Sequence, residues 1–497
     1  MKRNVRAHVS MVFHLDKCLG CHTCSVACKN IWTDRRGAEY MWWNNVETKP
    51  GTGYPILWED QEKYQGGWQR EGAKLGLKMH SRLGALANIF HSPFLPTIDE
   101  YYEPWTYKYD NLINAPAGDE QPTARPISQL TGKPMNIEFG PNWDDDLSGS
   151  QVYAANDPNL KKISVEEREL LLKFERLVFF YLPRICNHCL NASCLAACPS
   201  GAIYKRGEDG IVLVNQEMCR AWRKCVTGCP YKKTYYNWST GKADKCILCY
   251  PRLEVGKAPA CFNNCVGRLR YIGVLLYDAN RLEESAKKPP EHLVEAQREL
   301  FLDPFDPEVV AEARENGIHD GVISAAQGSP VYKFVIKHKI ALPLHAEFGT
   351  VPMLFYVPSL LPVAGTFDGQ TYKVAEDFFT SLENVRIPIR YQASLFTGGN
   401  EAEIIRVFKK LYAVRAYRRE KQMGDVSTQE LQRVLEEAQT TAEEIQEIYH
   451  LTALANFEER FVIPPMMREQ AIEATEDVYA HKGHIGFGFL RKPAREW

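Results

Sequence analysis

No stretch of this sequence is apolar for long enough to cross a bilayer. The longest apolar run, Val351 to Gly365 (VPMLFYVPSLLPVAG), is interrupted by Pro352, Pro358 and Pro362 and falls short of the ~20 residues a spanning helix needs. It suits either an apolar contact surface or a piece of core. The opening MKRNVRAHVS holds no apolar signal core and no adjacent arginine pair, so the chain is expected in the cytoplasm, exported by no signal of its own. Neither sign of charge is in excess. Sixty lysines and arginines face 62 aspartates and glutamates, and this lack of a basic surplus argues against nucleic acid as a partner. With 45% hydrophobic and 25% charged residues, wholesale disorder is excluded. At ~150 residues per domain the length suggests about three domains.

Cysteine, by contrast, is plentiful, and four groups account for all 15. The first is Cys18, Cys21, Cys24 and Cys28, spaced C-x2-C-x2-C-x3-C. The second is Cys186, Cys189, Cys194 and Cys198, spaced C-x2-C-x4-C-x3-C. The third is Cys219, Cys225 and Cys229, and the fourth Cys246, Cys249, Cys261 and Cys265. In a reducing compartment such tight groups read as metal ligands rather than disulfides. The first group is the run of bacterial ferredoxins, in which three cysteines hold one iron–sulfur cluster and the fourth serves the neighbouring cluster. Groups therefore pair, each lending its last cysteine. Proximity in sequence pairs the second with the third, leaving the first to pair with the fourth. Pro199 and Pro230 follow Cys198 and Cys229, as in the ferredoxin run.

This logic predicts a ligand map in which the metal is iron throughout. One [4Fe–4S] cluster takes Cys18, Cys21, Cys24 and Cys265. A second takes Cys28, Cys246, Cys249 and Cys261, and a third Cys186, Cys189, Cys194 and Cys229. The last cluster has only Cys198, Cys219 and Cys225, because Trp222 stands where the third group should have its middle cysteine. An indole cannot ligate iron. Three thiolates with a bulky ring at the open corner predict a [3Fe–4S] centre. The alternative is that Trp222 is ordinary core and a group other than cysteine completes a fourth [4Fe–4S] cluster. Structural zinc would need sets of four ligands, and fifteen cysteines leave an awkward three.

Charge is concentrated in the same stretch. Between Cys219 and Arg270, eleven lysines and arginines face only Asp244 and Glu254. These cations would favour the reduced, more anionic clusters, or else form a plain basic surface or a patch for an acidic partner. His22 and His188, in the CxxC gaps, are expected beside the ligands or facing solvent, since the ligand count is already full.

The chain divides into residues 1–28 with 240–280 as a first ferredoxin-like module, 29–184 as an insertion, 185–239 as a second module, and 281–497 as a mainly helical docking region. The start shows a short alternating strand pattern, VSMVFHL. The insertion carries seven of the ten tryptophans. It is too long for a plain loop and must pack on itself or on another subunit. Ile203 and Ile211–Val214 flank a Gly207–Gly210 turn, a hairpin signal. Ser427 to Glu430 and Thr441 to Glu444 each precede helix-periodic apolar residues, as capping boxes do. The fold class is α+β, with no catalytic residue in evidence.

Taken together, LDKCLGCHTCSVACKN (15–30), YMWWNNVETKPG (40–51), DEYYEPW (99–105), GPNWDDDL (140–147), CPSGAIYKR (198–206), CRAWRKCVTGCPYKK (219–233) and VGRLRYIGVLLYDA (266–279) resemble the iron–sulfur beta subunit of membrane-bound respiratory nitrate reductases over nearly the whole chain. Tryptophan in the third group marks that family and its close relatives. The resemblance implies an electron-transfer subunit with three [4Fe–4S] clusters and one [3Fe–4S] cluster. Its partners would be a catalytic alpha subunit bearing molybdenum bis-pterin and a membrane gamma subunit with haem b that oxidises quinol. Through that complex the chain would sit peripherally at the cell membrane. The resemblance also puts the cluster on Cys198, Cys219 and Cys225 at the haem end and the one on Cys18, Cys21, Cys24 and Cys265 at the molybdenum end. Beta subunits of nitrite oxidoreductases, which run the reaction backwards, and of selenate and chlorate enzymes share the core. A free-standing multicluster ferredoxin would need neither the insertion nor the long tail.

Overall fold

A computed structural model describes residues 2–72, 74–78, 92, 94–101, 105–108, 110–119, 126–128, 131–134, 151–173, 178–360, 365–367, 372–374, 388–424 and 426–464. The segment GPNWDDDL with Trp143, residues 102–104, residues 361–364 of the apolar run and the last 33 positions (465–497) lie outside them.

A five-stranded sheet organises the chain. Its strands are β1 (Val5–His14), β2 (Arg270–Asp278), β3 (Phe301–Leu302), β4 (Leu342–Pro343) and β5 (Leu354–Val357), in the order β3-β2-β1-β5-β4. β1 runs antiparallel to β2, with Val5 opposite Asp278 and Phe13 opposite Arg270, and parallel to β5. The alternation read at the start of the chain is a poor description of β1. It is ten residues long and buried along all of it except Arg6, because it is a central strand covered on both faces. The apolar run from Val351 is likewise core. Leu354–Val357 is entirely buried beside β1, so its described part is not a contact surface.

The insertion closes on itself at its base. Asn45–Lys49 pairs antiparallel with Phe180–Arg184, so the chain leaves and re-enters the sheet region through one ladder and arrives directly at Cys186. Four of the insertion's tryptophans pack inward: Trp42, Trp43 and Trp58 are fully buried and Trp32 nearly so. Charges lock the same base. Glu47 pairs with Arg184, whose guanidinium lies 3.5 Å from the Trp58 ring centre. Lys49 pairs with Glu59, and Glu59 takes a 2.8 Å hydrogen bond from His345.

The cysteine groups sit on short helices: α1 (Thr23–Cys28), α2 (Ser193–Ala196), α3 (Lys224–Gly228) and α4 (Ala260–Asn263). The predicted hairpin forms, with Ile203–Lys205 antiparallel to Val212–Val214. A second hairpin, Thr234–Asn237 with Lys242–Lys245, follows the third group. The C-terminal part is less purely helical than expected, since β3, β4 and β5 all come from it. Its helices include α5 (Glu401–Met423), α6 (Thr428–Glu437) and α7 (Ala442–Tyr449). Ser427 and Thr441 cap the last two, accepting from the amides of Glu430 and Glu444, and Val434, Ile445 and Ile448 face the core.

Candidate iron–sulfur sites

Each cysteine group opens on the same local device. The second residue after the first cysteine is left-handed in all four: Gly20 (φ 65°), His188 (φ 43°), Ala221 (φ 63°) and Leu248 (φ 51°). This turn aims a backbone N–H back at the preceding sulfur. His188 N–H lies 3.5 Å from Cys186 Sγ and Leu248 N–H 3.4 Å from Cys246 Sγ, and the Gly20 amide bonds Cys18. A positive φ costs glycine nothing, but three of the four positions carry side chains. The strain of order 1 kcal/mol at each is the kind retained at functional sites.

The turns then feed the helices, and the helices pack in pairs: α1 against α4 and α2 against α3. That packing brings distant cysteines together. Cys18 is within electrostatic reach of Cys24 and Cys265. Cys28 is within reach of Cys261, Cys246 and Cys249, and Cys194 of Cys229, Cys186 and Cys189. Cys225 is close to Cys198 and Cys219. Cys21 is exposed on the loop between Cys18 and Cys24, with the Thr23 hydroxyl 3.5 Å from its sulfur. The sets also neighbour one another in sequence: Cys261 is near Cys24, Cys246 near Cys186, and Cys225 near Cys229. The four sets thus form a row.

Among the described residues, no three His, Cys, Asp or Glu side chains converge as a single-ion site requires. The thiols instead border cavities. One of about 20 Å³ is lined by Cys186, Cys189, Cys194 and Cys229. Another of about 20 Å³ is lined by Cys198, Cys219, Cys225 and Trp222. Trp222 is 53% exposed, so it is not core. It lies at the mouth of a void that matches its four-cysteine neighbour in size. A larger cavity, between Trp68, Lys162 and His345, carries no cysteine.

Burial pushes the thiols of Cys18, Cys189 and Cys246 up to about 12 and raises those of Cys28, Cys194 and Cys261 well above the usual range. For Cys198 burial acts in the same direction, but hydrogen bonds from the Ser200 hydroxyl and the amides of Ile203, Ala202 and Ser200 outweigh it and lower the thiol. Cations surround these thiols. Lys232, Lys233, Lys245 and Arg270 are all buried, so the basic stretch is not simply a surface patch. Burial lowers Lys205 to about 8, while Cys189, Cys194 and Cys186 pull it up. Lys205 Nζ and the Nε and Nη1 of Arg270 are buried with no hydrogen-bond partner among the described residues. Arg270 faces Cys24, Cys261, Cys265 and Cys18. Orphaned buried cations demand an anion, and thiolate-held iron–sulfur clusters between the cysteines supply one. The residues therefore fit the group.

Sequence reasoning missed these two cations as individuals, and it missed Trp32, whose indole N–H lies 3.1 Å from Cys249 Sγ. Only their nearness to cysteine motifs signalled Lys205 and Arg270. His22 and His188 are buried, so solvent-facing positions are ruled out for both.

Comparison with known proteins supports iron–sulfur clusters in this chain. A family model described as "4Fe-4S dicluster domain" matches residues 177–275, and one described as "Respiratory nitrate reductase beta C-terminal" matches 360–441. The nitrate reductase beta chain of Bacillus subtilis (strain 168) is 50% identical over 491 residues, 98% of this chain and 99% of that protein. The chain belongs to the respiratory nitrate reductase beta-chain family. Within that family, the respiratory nitrate reductase 1 beta chain of Escherichia coli (strain K12) is 50% identical, covering 98% of this chain and 93% of its own length. The selenate reductase subunit beta of Thauera selenatis is 36% identical over 79% of this chain and 87% of its own length. A beta chain is one component of a multi-subunit complex. Among the described residues, no helix is long and apolar enough to cross a membrane.

Proposed function

We propose that this chain is the electron-transfer subunit of a quinol-dependent respiratory nitrate reductase, carrying electrons along four iron–sulfur clusters and doing no bond chemistry itself. Residues 1–28 with 240–280 and residues 185–239 are its two dicluster modules. The [4Fe–4S] clusters are held by Cys18, Cys21, Cys24 and Cys265, by Cys28, Cys246, Cys249 and Cys261, and by Cys186, Cys189, Cys194 and Cys229. A [3Fe–4S] cluster is held by Cys198, Cys219 and Cys225.

The single observation that carries this reading is the row of cysteine sets linked through Cys24 and Cys261, Cys246 and Cys186, and Cys229 and Cys225. A row of redox centres conducts between its ends. Exposed apolar side chains collect at both: Leu19 and Val266 beside the Cys18 and Cys265 set, and Met218 and Trp222 beside the Cys219 set. Exposed apolar groups beside a conductor's terminals suit partner docking. The molybdenum bis-pterin alpha subunit belongs at the first end and the haem b gamma subunit at the second. The chain then meets the membrane only through its partners, at the cytoplasmic face.

Two measurements test this. The purified complex should contain about 15 iron atoms in the beta chain, from three four-iron clusters and one three-iron cluster; zinc with little labile sulfide would sink the assignment. Cys219→Ser should abolish quinol-driven nitrate reduction while a dye that reduces the catalytic subunit directly still supports it. Equal loss of both activities would contradict a conducting role for the row.

A further inference from the structure

The insertion reaches one cluster site with two N–H donors. Trp32, four residues beyond Cys28, directs its indole Nε1–H at Cys249 Sγ over 3.1 Å. The contact is shorter than those to Cys186, Cys198, Cys219 and Cys246 sulfurs, which run from 3.4 to 3.6 Å. The backbone amide of Asn44 bonds Cys28 of the same set. Both residues are fixed. Trp32 is 6% exposed and stacks on Trp43 at 6.2 Å and 21°. Asn44 takes a 2.8 Å hydrogen bond from Arg270 and gives one of 3.2 Å to Ser25. A hydrogen bond to a ligand sulfur strengthens as negative charge builds on that sulfur, so it favours the reduced state.

We propose that Trp32 is a positioning and tuning residue for the cluster on Cys28, Cys246, Cys249 and Cys261, and that its indole N–H raises the reduction potential of that cluster above what the four thiolates alone would set. The insertion is thereby part of the conductor and not only its packaging. This inference rests on the ligand assignment above. The stacked pair Trp32 and Trp43 holds the donor in place, and burial keeps water from replacing it.

The test is a redox titration of the intact complex followed by electron paramagnetic resonance. Cys249→Ser first identifies the cluster by changing or removing one [4Fe–4S] signal. In Trp32→Phe that signal should titrate at lower potential, its reduced-to-oxidised ratio at fixed potential falling about tenfold, equivalent to about 59 mV for a one-electron couple. Iron content and the other three midpoints should be unchanged. Benzothienylalanine at position 32 keeps the bicyclic shape, lacks the N–H, and should give the same shift where phenylalanine fails to pack. An unchanged midpoint in that protein, or a shift shared by all four clusters, overturns the proposal. If Cys249→Ser leaves every cluster intact, the ligand assignment has failed instead.

Discussion

Trp222→Cys should convert the proposed three-iron centre into a four-iron one. The backbone is already shaped for it. Cys21 is flanked by left-handed Gly20 and His22, at φ 65° and 53°, and Trp222 by left-handed Ala221 and Arg223, at φ 63° and 56°. The helices Thr23–Cys28 and Lys224–Gly228 then start at matching points. A cysteine at 222 therefore enters a loop with the same φ signs as one that carries cysteine, beside a cavity already lined by Cys198, Cys219 and Cys225. Because Trp222 is half exposed, its removal leaves no sealed hole in the core. Iron in the beta chain should rise by about one atom, and the three-iron resonance of the oxidised protein near the free-electron g value should disappear. The added thiolate makes the site more anionic, so its potential should fall and electron entry from quinol should slow. If the oxidised wild type, purified without oxygen, lacks the three-iron signal, Trp222 does not stand in a ligand position. An intact four-iron cluster there would make some other residue the fourth ligand.

Arg270→Met should destabilise the cluster-loaded protein by roughly 3–5 kcal/mol, the usual loss when one member of a buried charge pair is removed. Arg270 is fully buried at the start of β2. Its guanidinium lies 4.3 Å from the centre of the Phe13 ring and donates to Asn44 at 2.8 Å. The remaining nitrogens, Nε and Nη1, find no hydrogen-bond partner among the described residues, while Cys24, Cys261, Cys265 and Cys18 lie within electrostatic reach. Methionine fills much of the volume but leaves the clusters on both sides without this counter-charge. Two readouts should move together. Bleaching of the visible absorbance on heating should come at lower temperature, and the midpoints of the two clusters nearest Arg270 should fall. Arg270→Lys should keep part of the potential, since charge survives, and lose the hydrogen bond to Asn44 that only the longer planar fork reaches. Unchanged midpoints in Arg270→Met would mean that the guanidinium serves packing alone.

The sequence by itself determined the chemistry, because cysteine spacing is a local property. A C-x2-C turn is signalled within four residues, so the four groups and the odd position of Trp222 could be read without coordinates, while their pairing was an expectation taken from the ferredoxin run. The hairpin around Gly207–Gly210 and the caps at Ser427 and Thr441 were legible for the same reason, each signalled within a few residues. Tertiary structure decided what depends on residues far apart in the chain. VSMVFHL alternates like a half-exposed strand, yet as a central strand between those from positions 270 and 354 it is buried on both faces. The prolines of the apolar run around Val351 hid a strand that is held between its parallel partner β1 and its antiparallel partner β4. How the insertion closes was unreadable, because its base is a ladder between residues 45–49 and 180–184. Trp32 meets Cys249 across more than two hundred residues, and nothing local to either marks the contact. Arg270 and Lys205 were two cations among sixty until burial left Lys205 Nζ and two of the Arg270 nitrogens without a hydrogen-bond partner among the described residues, and in a low-dielectric interior an unpaired charge is tolerated only where something anionic sits beside it.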